Sequence, residues 1–163
     1  MNFDGLLDRQ FWWPISVALC CGTLLGLERQ LRGKPAGIRT SILICMGTTV
    51  FIRLGTGLAS HGGDPTRTLG QVVTGVGFLG GGVILTHGGH IRGMTSAAVI
   101  WLLACIGSAI GLGYFAQAIA VTLVALLVLI GVQWLEHTFR QLRRGVHAEG
   151  GAESEDTPAD PSS

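Results

Sequence analysis

The chain alternates long apolar runs with short clusters of charge. No Asp, Glu, Lys or Arg occurs between Gln10 and Leu27, Thr40 and Ile52, Thr68 and Ile91, or Gly93 and Leu135, gaps of 18, 13, 24 and 43 residues. A helix that crosses a hydrocarbon core of about 30 Å needs about 20 mainly apolar residues. The pattern predicts five such helices: Trp12–Leu27, Ile38–Ala59, Leu69–Thr86, Thr95–Leu112 and Tyr114–Leu135. The longest gap must hold two of them, and Gly111-Leu112-Gly113 is the turn between. Pro14 is placed in the opening turn of the first helix, where its missing N–H does no harm. A competing arrangement has four spans with the third helix half-inserted. The expected fold is thus all-α, a polytopic membrane bundle of five helices over residues 12–135, preceded by an outer segment 1–11 and followed by a basic stub and acidic tail over 136–163.

Composition agrees. Only 13% of the 163 residues are charged, 26 are glycine, and the mean hydropathy is +0.51. A soluble domain presents one polar face of most of its elements to water, which a 43-residue uncharged stretch cannot do, so a cytoplasmic enzyme is excluded, and so is a disordered chain. Lys and Arg in the short loops set orientation. Arg29, Arg32, Lys34, Arg39, Arg92, Arg140, Arg143 and Arg144 fall on one side, and Arg9, Arg53 and Arg67 on the other. The N-terminus is therefore expected outside and the C-terminus in the cytoplasm, with Trp12, Trp13, Tyr114 and Trp134 near the interfaces. The first residues do not read as a cleaved signal peptide, since Asp4 and Asp8 stand where a basic region is needed. The acidic end, with Glu149, Glu153, Glu155, Asp156 and Asp160, is expected to be a disordered tail.

The glycines are patterned. Gly-x-x-x-Gly occurs at Gly22 and Gly26, Gly77 and Gly81, and Gly107 and Gly111. Lipid supplies no hydrophobic drive for helix association, so small residues that admit close backbone approach supply packing instead. Gly70, Thr74, Gly77 and Gly81 form one stripe on the third helix, with Gly75 and Gly82 beside it. That predicts a central helix touched on several sides, or one that receives a partner helix. Gly75 to Gly80 also fits the dinucleotide pattern GxGxxG, but no βαβ unit surrounds it and no acidic residue follows at about 20 positions.

Ionisable groups in or near a bilayer are candidate functional residues by default. Glu28 and Arg29 end the first helix and Arg39 and Thr40 begin the second, so these four are expected to face one another. Asp64, followed by Pro65, reads as the cap of the third helix, with Arg67 beside it. Thr95 and Ser96 are read as capping the fourth. Arg53 lies about 21 Å along the helix from Arg39, at the outer interface or the hydrocarbon edge. Glu28 and Asp64 are weak metal candidates on opposite faces, and one copy offers too few oxygens for Mg²⁺, although an oligomer could ring either carboxylate. His87 and His90 flank Gly88-Gly89 without further ligands. Cys20, Cys21, Cys45 and Cys105 form no C-x-x-C and read as small buried hydrophobes. No catalytic grouping, cofactor motif or nucleic-acid face stands out.

Four blocks together resemble the MgtC/SapB family of bacterial inner-membrane proteins. They are Gly26-Leu27-Glu28-Arg29 with Gly33 and Ala36-Gly37-Ile38-Arg39-Thr40; Asp64-Pro65-Thr66-Arg67; Gly75-Val76-Gly77-Phe78-Leu79-Gly80-Gly81-Gly82; and Gly93-Met94-Thr95-Ser96-Ala97-Ala98 with Trp101. The resemblance covers about residues 10 to 135. It implies a five-helix domain in the plasma membrane, a link to low-magnesium stress and, for some members, virulence. Members are thought of as regulators more than pumps, and restraint of the F-type ATP synthase is one proposed action. It marks Glu28, Arg29, Arg39, Thr40, Asp64 and Arg67 as the polar positions of interest. Gly81, Met94, Ser96 and Gln30 depart mildly from the family pattern. Many members carry a folded cytoplasmic domain where this chain has its acidic tail, so ligand sensing in such a domain is not expected here. The expected function is a non-enzymatic regulator working through helix contacts with another membrane protein, or with further copies of itself. The alternatives are an oligomeric transporter or channel for Mg²⁺ or another small solute, and an assembly factor whose basic loop binds anionic lipid or a soluble partner.

Overall fold

A computed structural model describes residues 9–59, 64–87 and 90–148. Five helices are present: α1 (Arg9–Leu31), α2 (Ile38–Ala59), α3 (Pro65–Gly82), α4 (Met94–Gly111) and α5 (Phe115–Ala148). Four of them, α1, α2, α4 and α5, contain stretches long and apolar enough to cross a membrane. The protein is a multi-pass helical membrane protein. The third helix is the exception, because Arg67, Gln71 and a run of glycines dilute its apolar content.

The helix boundaries moved where local chemistry outweighed the apolar pattern. α1 starts at Arg9, not Trp12, which puts Pro14 in its second turn. α3 stops at Gly82, four residues before the expected end, after three successive glycines that hold a helix poorly. Beyond it a short antiparallel hairpin, β1 (Leu85–His87) with β2 (His90–Arg92), connects to α4 and adds to the all-α expectation. The turn between α4 and α5 falls at Gly111–Gly113 as predicted, and Gly113 adopts a φ of +88°.

The basic stub is not a separate segment, since α5 continues through Glu136 and Arg144 to Ala148. The predicted acidic tail from Glu149 onward and the first eight residues lie outside the described residues. Contacts divide the chain into residues 1–126 and 127–163, the second holding the later part of α5.

Within the first unit, α2 is the hub. A Cβ on Gly22 would stand 2.8 Å from Ile42 Cα, and one on Gly26 would stand 2.6 Å from Ile38 Cα. On its other side, a Cβ on Gly107 would strike Thr48 Oγ1 and Cys45 O, and one on Gly111 would come 2.8 Å from Ile52 Cβ. Both Gly-x-x-x-Gly pairs therefore bring a backbone onto α2, as small-residue packing in membranes requires. Thr49 ties the α2–α4 contact by donating from Oγ1 to Gly107 O at 3.0 Å. α3 lies at the flank, against α4 and α2, where Val76 packs with Ile100 and Ala104. The expectation of a central third helix is thus corrected. A glycine-rich helix gives the same sequence pattern whether neighbours fill its faces or leave them open.

Candidate functional site

Arg29 continues the buried stripe of α1. Ala18, Gly22, Leu25 and Arg29 recur at helical spacing, so the turn that presses Gly22 onto α2 also turns Arg29 inward. Its side chain is 1% exposed, and Glu28 beside it is 7% exposed. Arg29 Nη2 donates to Ser96 Oγ on α4 at 2.8 Å. Arg32 Nε lies 2.6 Å from Glu28 Oε1, one turn along, and Arg29 Nη1 lies 3.9 Å from Glu28 Oε2. The Arg32 contact is short but not aligned as a hydrogen bond, and the Arg29 contact is too long for one. Glu28 Oε1 and Oε2 and Arg29 Nη1 thus make ion contacts, and neither these atoms nor Arg29 Nε makes a hydrogen bond among the described residues. Burying a carboxylate and a guanidinium is costly unless each has a partner of opposite charge.

The other predicted members of this cluster are elsewhere. Arg39 and Thr40 are exposed on α2 and do not face Glu28 or Arg29. The start of α2 is instead covered by Gln30, whose Oε1 accepts from Ile38 N at 3.3 Å. Thr95 is exposed and does not cap α4; the cap position is Gly93 at φ +93°, where a Cβ would collide with Val83 O. Ser96 lies inside the helix as the partner of Arg29, a role missed in the sequence because it depends on how α4 is rotated against α1.

Asp64 behaves as read. It caps α3, accepting from Thr66 N at 2.9 Å and from Thr66 Oγ1 at 2.8 Å, with Pro65 next to it. The Thr66 hydroxyl and then its amide, with a smaller contribution from the charge of Arg67, hold the Asp64 carboxyl below its ordinary value. Asp64 and Arg67 are exposed. They stand beyond the far end of α2, whose 22 residues rise about 33 Å, so Glu28 and Asp64 cannot share an ion. No group of three His, Cys, Asp or Glu side chains converges among the described residues. The hairpin sets His87 opposite His90, but their side chains lie outside the described residues. Of the cysteines, Cys21 and Cys45 are buried as expected, whereas Cys20 and Cys105 are exposed.

Arg53 has a structural role. Pro14 has no N–H to give to the carbonyl four residues before it, Gln10 O. Arg53 Nη2 reaches across from α2 and donates to that oxygen at 3.3 Å.

Two surfaces remain. Between α2 and α3 lies a largely apolar groove of about 680 Å³, walled by residues that include Leu43, Gly47 and Phe51 on one side and Val72, Gly75 and Leu79 on the other. The second is the stripe of Gly70, Thr74, Gly77 and Gly81. At 3.6 residues per turn these four share an arc of about 60° on the face of α3 away from the groove. Among the described residues nothing lies within 4 Å of where a Cβ on Gly70, Gly77 or Gly81 would stand.

Comparison with known proteins fits this arrangement. The MgtC family matches residues 15–138. The chain belongs to the MgtC family. It is 42% identical over 142 residues to an Escherichia coli K12 protein named "Putative magnesium transporter YhiD", covering 83% of this chain and 65% of that one. It is 39% identical over 147 residues to Protein MgtC of Salmonella typhimurium LT2, covering 88% and 62%. Uncharacterized protein slr0014 of Synechocystis is 38% identical over 119 residues, covering 73% and 50%. The chain therefore spans between half and just under two thirds of the length of these relatives. No solved structure matches it.

Proposed function

We propose that this MgtC-family protein is a bacterial inner-membrane regulator in magnesium homeostasis, acting without catalysis by taking a helix of another membrane protein against α3. The observation that carries the reading is the unfilled stripe of Gly70, Thr74, Gly77 and Gly81. The same kind of residue on α1 and α4 receives α2 within the chain, while the stripe on α3 meets nothing. Thr74 turns its hydroxyl back onto Gly70 O at 2.9 Å, which leaves the stripe smooth and without unmet polar groups. In this reading α3 is a fifth crossing: its 18 residues rise about 27 Å, close to the hydrocarbon thickness. The N-terminus is then outside and the C-terminus cytoplasmic. The F-type ATP synthase is the partner suggested by family resemblance.

The test is ATP synthesis by inverted membrane vesicles with and without the protein, and with Gly77→Leu. A leucine at 77 has room in the isolated chain, so it should block a partner without unfolding the protein. Lower synthesis with the parent and normal synthesis with the folded variant is the expected result. A fully active Gly77→Leu variant would remove the reading.

A second reading is an oligomeric transporter for Mg²⁺ or another small solute. The printed name of the Escherichia coli relative and the buried carboxylate of Glu28 support it. It requires that Glu28→Gln or Asp64→Asn stop flux in a folded protein, and normal flux in both would end it.

A further inference from the structure

We propose that the groove between α2 and α3 is a lipid site that takes one acyl chain of an anionic phospholipid, with the headgroup held at the Arg39 end. This rests on a different face of α3 from the glycine stripe and does not depend on the regulatory reading.

The shape points to a chain and not to a helix. α2 and α3 are in tight contact at Gly55 and Thr68, where a Cβ on the glycine would come 2.5 Å from the threonine side chain. From that closed end the groove follows α2 back from Phe51 to Thr40, 11 residues or about 16 Å. That is about the depth of one leaflet, half of a core of about 30 Å. A spanning partner helix would need the whole thickness. The volume of about 680 Å³ lies within the range of sites that enclose a small ligand.

The walls are mostly apolar, with Gln71 and Thr68 the polar side chains toward the closed end. Thr48, which could interrupt them, turns its hydroxyl to Ile44 O and Cys45 O at 2.8 and 3.0 Å. Gly47 and Gly75 face each other across the opening, and nothing occupies the space of a Cβ on either.

Charge supplies the other half. The groove ends at Thr40, next to exposed Arg39, with Lys34 exposed in the same α1–α2 connection. The carboxylate nearest in sequence is Glu28, which is buried and already engaged by Arg32 and Arg29. Exposed positive charge at Arg39 therefore stands next to the groove's end, where an anionic phosphate would be attracted and a zwitterionic headgroup much less so.

The experiment is native mass spectrometry of the full chain, purified in detergent and titrated with phosphatidylglycerol or phosphatidylethanolamine. One phosphatidylglycerol per chain should be retained in preference to phosphatidylethanolamine. Gly75→Leu and Gly47→Leu, at positions where a Cβ meets nothing within 4 Å among the described residues, should each weaken retention about tenfold while melting at the parent's temperature. Arg39→Gln should reduce the preference for phosphatidylglycerol about fivefold. Gly81→Leu, on the opposite face, should change neither. Unchanged retention in both groove variants, or equal retention of the two lipids by the parent, overturns the proposal. So does a parent dimer that the groove variants dissociate with no lipid retained, since the groove would then belong to a second copy.

Discussion

Arg29→Met removes a buried cation while keeping most of the side chain's length, and its cost can be worked from three contacts. Arg29 gives one hydrogen bond, to Ser96 Oγ at 2.8 Å, and an ion contact to Glu28 at 3.9 Å. Deleting one member of a buried pair costs about 3–5 kcal/mol, because the survivor is left as an uncompensated charge. Glu28 retains Arg32 at 2.6 Å, and the Arg32 side chain is 29% exposed, so compensation is partial. The expected loss is therefore near the lower bound, about 3 kcal/mol. Ser96→Ala removes only the hydrogen bond to a charged donor, about 2 kcal/mol. The informative variant is the double, Glu28→Gln with Arg29→Met, in which no lone buried charge remains, since the Arg32 left behind is 29% exposed. It should be less destabilised than the two single losses added together, by more than about 1 kcal/mol. Reversible unfolding in mixed detergent micelles, followed by circular dichroism, measures the parent, Arg29→Met, Ser96→Ala, Glu28→Gln and the double. An Arg29→Met variant within about 0.5 kcal/mol of the parent would refute the buried-charge argument, as would strict additivity in the cycle.

Two further outcomes are expected. Gly26→Ala should destabilise by about 1–3 kcal/mol through forced separation of α1 from α2, whereas Gly77→Ala should be neutral or stabilising by up to about 1 kcal/mol, because it relieves glycine's helix penalty in open space. Matched melting curves decide this, and equal shifts would contradict the packing. For Asp64, the folded carboxyl titrates below its unfolded value. The cap is therefore at full strength above about pH 4 and weakens as pH falls through the lower folded value. Protection of the Thr66 amide, taken relative to its intrinsic exchange rate, should fall below that pH in the parent, while in Asp64→Asn, which still caps but does not titrate, it should not.

The charge gaps located all five helices, since the energetic demand of a bilayer is written residue by residue. The cap at Asp64 was legible for a similar reason, because the carboxylate, the proline and the first helical turn are neighbours in sequence. Arg53 was half legible. Pro14 announces that the carbonyl of Gln10 loses its helical donor, but only the placement of α2 beside α1 brings the guanidinium to it. Ser96 was misread as a cap because a small hydroxyl near a helix start fits that role, and only the rotation of α4 reveals the buried arginine it meets. The supposed facing of Arg39 and Thr40 toward Glu28 failed because α2 turns Ile38 and Ser41 toward Gly26 and leaves Arg39 and Thr40 exposed.

The packing also assigns different freedoms to the helices. α2 touches α1 and α4 through backbone, at Gly22, Gly26, Gly107 and Gly111, so sliding it would drive Cα atoms and carbonyls into one another. Close-packed contacts of this kind do not deform gradually. α3 is held differently, by Val76, Ile100 and Ala104 on one side, with a tight contact at Gly55 and Thr68 at one end. Toward its other end it stands apart from α2 across the groove. Apolar side-chain contacts re-form after a small displacement more readily than interlocked backbones, and regions with fewer of them open at lower free energy. Of α2 and α3, α3 is the less constrained, its tight contact with α2 being confined to the Gly55–Thr68 end. A partner on its glycine face and a lipid chain in its groove would then press on opposite sides of the same helix, so that filling the groove with Gly75→Leu should alter how readily the Gly77 face is engaged.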